Sequence, residues 1–179
     1  KALEILKPSI ITVDRDGNGD FRSIGEAITT APYPPGWSVI KVASGVYEED
    51  IEIEKKLAII GSGINTVIKG KIEVVNMNEA RLFVSISDLT LKDSVINGDQ
   101  NVSILIKRLR ILGSEIFASR PFPEITIKNS IVTNSSILSI GEGSLDVRNS
   151  VITNNRIGLQ VGIYGYVSIY NSIIINNDI

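Results

Sequence analysis

The sequence predicts an all-β fold, a single-stranded parallel β-helix in which short strands stack into a solenoid. Three ten-residue blocks align without gaps, ITIKNSIVTN, LDVRNSVITN and VSIYNSIIIN, at residues 125–134, 145–154 and 167–176. Their fixed period of about 20 residues and their β-branched runs are typical of such a solenoid. A leucine-rich-repeat horseshoe is disfavoured because its L-x-x-L-x-L skeleton does not occur. Weaker copies begin near residue 84, so the clear repeats cover about residues 84–179.

The aligned blocks also predict which side chains point inward and where the chain bends. Side chains alternate across a strand, which predicts apolar ladders of Ile125 and Ile127, Leu145 and Val147, and Val167 and Ile169. An Asn follows each strand, and Asn tolerates the left-handed backbone angles of a bend. Stacked amides about 4.8 Å apart can also hydrogen-bond from rung to rung. We therefore expect two structural columns, with Asp88 and Arg108 continuing the first one upstream: Asn129, Asn149 and Asn171, and Asn134, Asn154 and Asn176.

Residues 21–31, FRSIGEAITTA, are predicted to form a helix that caps the N-terminal end of the solenoid. Asp20 is the expected N-cap, and Pro32 ends the helix. One apolar stripe at helical spacing would face the solenoid, formed by Ile24, Ala27, Ile28 and Ala31.

The carboxylates before this helix, in VDRDGNGDF at residues 13–21, match the start of an EF-hand calcium loop. That loop also needs a bidentate Glu at its twelfth position. Here the twelfth position is Gly25, and Glu26 comes one residue late, a shift that turns a helical side chain by about 100°. The segment is therefore interpreted as a tight turn into the helix, and calcium binding near residues 14–20 stays open.

Composition excludes several kinds of chemistry. The 179 residues include no Cys and no His. Thiol nucleophiles, disulfides, imidazole bases and the usual zinc and copper ligands are therefore absent. The net charge of −2 gives no strong attraction to nucleic acid or to an anionic membrane. No apolar run reaches the roughly 18 residues of a membrane span. We expect neither a cofactor nor a metal ion.

The first third of the chain resembles the pectin methylesterase family. ITVDRDGNGDFRSIGEAITTAP is similar to that family's opening strand, turn and capping helix. Two further motifs match, G-x-Y-x-E and a G-x-G followed by T-x-I-x-G, at Gly45, Tyr47 and Glu49 and at Gly61, Gly63, Thr66, Ile68 and Gly70. The resemblance covers about residues 11–70. It implies the right-handed parallel β-helix of pectin-lyase-like proteins and an extracellular or cell-surface location.

Of the three motifs that carry the catalytic residues of that family, two are absent from this sequence. In that family one Asp is the nucleophile, a second Asp is the acid/base, Gln side chains bind the oxyanion, and an Arg orients the nucleophile. Neither a Gln-Asp-Thr-Leu-type nor an Asp-Phe-Ile-Phe-Gly-type motif occurs, and the only Gln residues are Gln100 and Gln160. Arg120, in SRPF, faintly resembles the Arg of the family's Gly-Arg-Pro-Trp-type motif. We therefore expect no catalytic residue.

Two functions follow from these observations. The favoured one is a non-catalytic extracellular β-solenoid that is structural and self-assembling or polysaccharide-associated. The alternative is a reduced carbohydrate esterase or lyase acting on pectin-like acidic polysaccharide. Two carboxylates with an Arg or Gln on one outward sheet face would favour the alternative.

Several side chains are candidates for ligand binding. Lys107, Lys128, Arg148 and Tyr170 each precede a residue of the first column, so period-two alternation places them outside in one stack. Like charges gain nothing from stacking, so this stack is a candidate strip for polyanionic sugar.

Three other groups of residues have ordinary and functional interpretations. Tyr164, Tyr166 and Tyr170 would form either an aromatic shelf for sugar rings or a plain strand surface. In the acidic run at residues 48–54, Glu52 and Glu54 alternate with apolar residues and are expected to face solvent, with a divalent-cation site as the alternative for the run. Trp37 is expected to pack under the helical cap.

The two ends of the chain prompt a prediction about partners. Residues 1–9, KALEILKPS, form an N-terminal extension before the solenoid of residues 10–179, and the last repeat ends at NSIIINNDI without a following strand. One interpretation is that the chain was cut from a longer protein. The other is head-to-tail self-association, in which residues 1–9 of one copy pair with the open C-terminal rung of the next.

Overall fold

The computed structural model describes residues 8–32, 37–77, 80–118, 123–139, 143–160 and 165–177. These residues form one helix, α1 (Ile24–Thr30), and many short strands. The strands are β1 (Ser9–Val13), β2 (Ser38–Val42), β3 (Gly45–Glu48), β4 (Ile51–Ile53), β5 (Leu57–Gly61), β6 (Thr66–Val74), β7 (Leu82–Ser87), β8 (Thr90–Gly98), β9 (Val102–Lys107), β10 (Arg110–Leu112), β11 (Glu115–Ala118), β12 (Glu124–Lys128), β13 (Ile131–Thr133), β14 (Ser136–Ser139), β15 (Ser144–Arg148), β16 (Val151–Thr153), β17 (Ile157–Gln160), β18 (Tyr166–Tyr170) and β19 (Ile173–Ile175).

The strands form a parallel β-helix, as predicted. Sheet A has the order β1-β2-β5-β7-β9-β12-β15-β18, and its neighbouring strands are parallel. The other strands form sheet B, which bends along its length. Strand β8 spans that bend, because its residues 90–92 pair with β10 while its residues 95–98 pair with β11. From β2 to β17, each turn of the chain therefore contributes one strand to sheet A and two strand segments to sheet B.

Apolar side chains fill the inside of the solenoid. The predicted ladders are in register, since Ile125 pairs with Leu145 and Ile127 pairs with Val147, and all four are at most 1% exposed. The next rung up continues both ladders with Val167 and Ile169. These two are 38% and 48% exposed, because β18 is the last strand of sheet A that the structure describes.

The two predicted columns bend the chain as expected. Backbone φ lies between 45° and 60° at every member of both columns, which are Asp88, Arg108, Asn129, Asn149, Asn171, Asn134, Asn154 and Asn176. The predicted amide contact is present between Asn149 Nδ2, which donates, and Asn129 Oδ1, at 3.2 Å. Upstream, Asp88 and Arg108 replace the amides with an ion pair. The period-20 alignment therefore located left-handed bends as well as strands.

Helix α1 caps the solenoid, although it is shorter than predicted. It packs against β1, β2 and β4, and its Ile24, Ala27 and Ile28 are buried in the common core. The predicted N-cap, Asp20, is wrong, since Ser23 is the N-cap and accepts the Glu26 N–H at 3.3 Å.

Asp20 has a different role. Its Oδ2 accepts hydrogen bonds from the Thr12 nitrogen at 2.8 Å and from Thr12 Oγ1 at 2.6 Å. These two bonds lower the pKa of Asp20. The carboxylate therefore stabilises the turn that follows β1 rather than the helix.

Candidate functional site

The outer face of sheet A brings together the predicted ligand-binding stack. Strand register pairs Lys107 with Lys128, Lys128 with Arg148, and Arg148 with Tyr170. The stack runs along the solenoid axis with one side chain per strand, which are spaced by about 4.8 Å. Whether this stack binds a ligand stays a prediction.

The charges in this stack are not equivalent. Lys107 and Lys128 are half-buried and form no salt bridge within the described part of the chain. Arg148 instead donates from Nε at 2.8 Å and approaches with Nη2 at 2.7 Å to Oδ2 of Asp146, two residues earlier on the same strand. This contact raises the pKa of Arg148. Among the described residues the stack therefore presents two ammonium groups without an ion-pair partner, of which Lys107 is attracted by Asp88, beside a guanidinium that is paired with a carboxylate.

A second carboxylate lies on the same face. Glu124, on the neighbouring strand β12, forms an ion pair with Arg81, and its Oε2 accepts a hydrogen bond from Ser103 Oγ at 3.2 Å. Glu124 pairs in register with Ser144, and Asp146 lies two residues further along β15. A strand spacing of about 4.8 Å and a rise of about 3.3 Å per residue put the two Cα atoms roughly 8 Å apart.

The outer face of sheet A therefore carries two carboxylates, each contacted by an Arg, next to two Lys side chains. Sequence reasoning singled out the three cations and Tyr170 of the stack but neither carboxylate. The outward positions of Glu124 and Asp146 could nevertheless have been predicted from the sequence. In the aligned strands EITIK and SLDVR, they follow from the same alternation that located Lys128.

The aromatic candidates do not form one shelf among the described residues. Tyr166 and Tyr170 are 77% and 69% exposed, but they lie at opposite ends of β18, roughly 13 Å apart for four residues of strand. Trp37 is 47% exposed, so the prediction that it packs under the cap is wrong. Tyr164 and Arg120 lie outside the residues that the structure describes.

The acidic run beside the cap is engaged in contacts with the protein itself. Glu48 pairs with Lys69 at 2.7 Å, and Asp50 Oδ1 accepts the Lys71 N–H at 2.7 Å. Glu49 accepts hydrogen bonds from the first residues of α1. Within the described ranges, no three acidic side chains converge as a metal ion would require.

The carboxylates of the VDRDGNGDF turn also bond locally. Asp14 accepts the Asp16 N–H at 2.9 Å through Oδ1 and approaches Asn18 Nδ2 at 3.3 Å through Oδ2. These bonds are those of a tight turn, in agreement with the interpretation of this segment as the entrance to the cap.

Among the described residues, α1 is the one helix that could be considered as a membrane-spanning segment. That helix has seven residues, and no helix there is long and apolar enough to cross a membrane.

Comparison with known proteins gives a consistent set of relatives. A family model described as pectinesterase matches residues 10–99. The probable pectinesterase/pectinesterase inhibitor 41 of Arabidopsis thaliana is 44% identical over 80 residues, which cover 40% of this chain and 14% of that protein. Pectinesterase 3 of Solanum lycopersicum is 39% identical over 69 residues, which cover 36% of this chain and 13% of that protein. The matched segment is thus a small part of each curated relative.

Solved structures of pectin methylesterases are also similar. The enzyme from carrot aligns with 94% of this chain and 83% of its own, with a TM-score of 0.37 and 14% sequence identity. The enzyme from Aspergillus niger aligns with 94% of this chain and 86% of its own, with a TM-score of 0.38 and 14% identity.

Proposed function

Because the chain belongs to the pectinesterase family, we propose that it is a carbohydrate esterase acting on pectin-like acidic polysaccharide at the outer face of sheet A. This is the alternative that the sequence left open, and it replaces the non-catalytic solenoid as the favoured function. The observation that carries it is the pair Glu124 and Asp146, which meets the criterion of two carboxylates and an Arg on one outward face.

The two carboxylates suit the two roles that ester hydrolysis needs. Asp146, oriented by Arg148, attacks the ester carbonyl carbon and forms an acyl-enzyme as the C–O bond to methanol breaks. Glu124 stays a carboxylate paired with Arg81 while a water molecule protonates the departing methanol oxygen. Glu124 then takes a proton from the water that cleaves the acyl-enzyme and restores the Asp146 carboxylate.

The Lys side chains supply what the missing Gln residues do in the resembled family. Lys128 pairs in register with Arg148, so it lies on the neighbouring strand, two residues beyond Thr126, the register partner of Asp146. From there its ammonium would stabilise the oxyanion that develops on the carbonyl oxygen. Lys107, one strand further along the axis, would bind a free carboxylate on a neighbouring sugar of the same chain.

Methanol release from highly methylated pectin tests this function. The expected result is release by the wild-type chain that falls at least about 100-fold in Asp146→Asn and in Glu124→Gln. Glu115→Gln is the matched control, since Glu115 is exposed on β11 in sheet B, away from the proposed site. No release above background by the folded wild-type chain, or equal release by Asp146→Asn, contradicts the proposal.

A second candidate function is polysaccharide binding without turnover. It is favoured by the hydrogen bond from Arg148 to Asp146, which engages the proposed nucleophile, and by Lys107 and Lys128, which form no salt bridge among the described residues. Salt-sensitive binding to polygalacturonate with no methanol release would select it. A variant with Lys107, Lys128 and Arg148 all changed to Ala should then lose that binding, and equal binding by this variant would exclude the strip.

Two further expectations concern the location of the protein and its self-association. An extracellular or cell-surface location follows from the proposed substrate, which is a polysaccharide of cell walls. Head-to-tail self-association through residues 1–9 stays a prediction, because residues 1–7 lie outside the described part of the chain.

A further inference from the structure

A cleft between the turn after β1 and strand β3 is lined by two Arg side chains and is a candidate for a second binding site. The cavity has a volume of about 260 Å³ and is lined by Arg15, Arg22, Ser23, Val46, Tyr47, Glu48 and Glu49. It lies at the N-terminal end of the solenoid. Five strand spacings of about 4.8 Å separate β1 from β12 in sheet A, so this cleft is roughly 24 Å from Glu124 along the axis.

The backbone of the turn makes room for the guanidinium of Arg22. Gly17 has φ of +91°, and a Cβ atom there would lie 2.7 Å from Arg22 Nη2 and 3.2 Å from Arg22 Cζ. The guanidinium therefore packs directly over a residue that has no side chain. A Gly at this position both permits the left-handed backbone and leaves the space that Arg22 occupies.

Arg15, which also lines the cleft, is held by strand β3. Its Nη1 donates to the carbonyl oxygen of Val46 in β3. An Arg has five N–H donors in a planar fork, so this single bond leaves most of its donors for another acceptor.

The carboxylates that line the cleft are already engaged elsewhere. Glu49 accepts from Ser23 Oγ at 2.7 Å and from the nitrogens of Ile24 and Gly25, each at 2.9 Å. Glu48 pairs with Lys69 at 2.7 Å. The Glu48 carboxylate does attract Arg15, but within the described part of the protein neither guanidinium of the cleft forms an ion pair with a carboxylate.

We propose that this cleft binds the carboxylate of a hexuronate unit between Arg15 and Arg22. A planar carboxylate matches the two parallel N–H groups of a guanidinium, and the cavity is large enough for one sugar ring beside it. The anion site follows from the geometry of the cleft, whereas the choice of a uronate over other carboxylates rests on the proposed function. The cleft would anchor a polysaccharide chain far from the proposed site on sheet A.

Backbone amide chemical shifts of the isotope-labelled protein, titrated with galacturonate, test the proposal. Galactose, which has no carboxylate, is the matched neutral probe. We expect saturable shifts at Arg22, Ser23 and Val46 with galacturonate and none with galactose. Arg15→Gln and Arg22→Gln should each weaken the binding at least about tenfold, because each removes one charged donor group. Arg110→Gln should not weaken it, since Arg110 is exposed on β10 in sheet B.

The outcomes separate this site from the proposed esterase site. Asp146→Asn should bind galacturonate in the cleft as the wild type does, so a failed esterase assay leaves this inference standing. Unchanged binding by the double variant Arg15→Gln and Arg22→Gln, equal shifts with galactose, or galacturonate shifts confined to Lys128 and its neighbours on sheet A would each overturn it. A thermal melt of each variant checks that it is folded.

Discussion

The carboxylate of Glu49 accepts the backbone N–H of Ile24 at 2.9 Å and so joins the end of the third strand to the first residue of the capping helix, 25 positions earlier. The same carboxylate accepts from Ser23 Oγ and from the Gly25 nitrogen. The first N–H groups of a helix have no partner within the helix, and a negative charge there is also favoured by the helix dipole. The Glu of the G-x-Y-x-E motif therefore holds the N-terminal end of the cap to the solenoid, while Lys55 Nζ donates to the Ala31 carbonyl at the other end of the helix.

Glu49→Gln should destabilise the protein by about 1.5–3 kcal/mol, because hydrogen bonds to a charged group are worth that much and the new NH₂ group faces N–H donors. The free energy of unfolding from urea denaturation measures the effect. Glu115→Gln removes an exposed carboxylate from β11 and should change the free energy by less than about 0.5 kcal/mol. Equal effects of the two substitutions would show that Glu49 does not hold the cap.

The serines that follow the bending Asn residues form a second hydrogen-bonded ladder. Ser130 is 2% exposed, its Oγ accepts the Leu109 N–H at 3.2 Å, and the same hydroxyl donates to the Lys128 carbonyl at 2.8 Å. Ser150 and Ser172 repeat the pattern on the next rungs. Each serine thus satisfies a backbone N–H that the bend would otherwise leave buried and unpaired.

Ser130→Ala should cost about 1–3 kcal/mol of unfolding free energy, since it leaves the Leu109 N–H buried without a partner. Amide hydrogen exchange offers a local measurement, in which the Leu109 amide should lose protection. The control is Ser168→Ala, at an exposed position of β18, which should leave both quantities unchanged. Full protection at Leu109 in the Ser130→Ala variant would contradict this role.

Two glycines of the G-x-G motif should respond differently to the same substitution. A Cβ atom at Gly61 would lie 2.4 Å from the Asp88 carbonyl oxygen and 2.7 Å from Leu89 Cβ. At Gly63 it would meet nothing within 4 Å, although φ there is +115°. Gly61 is therefore required by the close approach of the next rung, and Gly63 only by its backbone conformation.

Gly61→Ala should destabilise the protein by more than about 3 kcal/mol, because two rungs must separate to admit the methyl group. Gly63→Ala should cost about 1–2 kcal/mol, from the left-handed backbone alone. Thermal melts of the two variants compare them directly. A larger loss for Gly63→Ala than for Gly61→Ala would mean that the packing between these rungs is looser than the structure describes.

The sequence predicted those parts of the fold that repeat. Asn129 and Asn149 could be placed at left-handed bends because a fixed period aligns them, and each copy supports the next. Glu49 occurs once, and its role depends on a helix 25 residues away, so neither periodicity nor local propensity could reveal it. The pair Glu124 and Asp146 falls between these cases. Their outward positions follow from strand alternation, but their Arg partners are set by side-chain rotamers and, for Arg81, by a contact across sheet A.

The ion pair of Asp88 and Arg108 replaces, in the first column, the amide contact that Asn149 makes to Asn129. Hydrogen bonds from Arg108 lower the pKa of Asp88, and partial burial opposes them. A carboxyl group whose pKa is lower in the folded state stabilises the protein above its unfolded pKa of about 4. That contribution is lost as the pH falls from about 4 through the folded pKa. Because the Arg108 side chain is 47% exposed, the pair should contribute less than about 1 kcal/mol.

Replacing both residues by Asn should remove this acid dependence without loss of stability at pH 7. Both positions have a left-handed backbone, with φ of 60° and 55°, which Asn adopts more readily than Arg. The double variant Asp88→Asn and Arg108→Asn can also form the amide contact seen two rungs further on, between Asn149 and Asn129. We therefore expect its unfolding free energy to equal or exceed that of the wild type at pH 7. Between pH 7 and pH 3, the unfolding free energy of the double variant should fall by less than that of the wild type. The Glu115→Gln control should show the same fall as the wild type. If the unfolding free energy of the double variant falls as much as that of the wild type, the Asp88 pair does not contribute to acid sensitivity. If the double variant is less stable than the wild type at pH 7, the ion pair stabilises this bend more than the amides do.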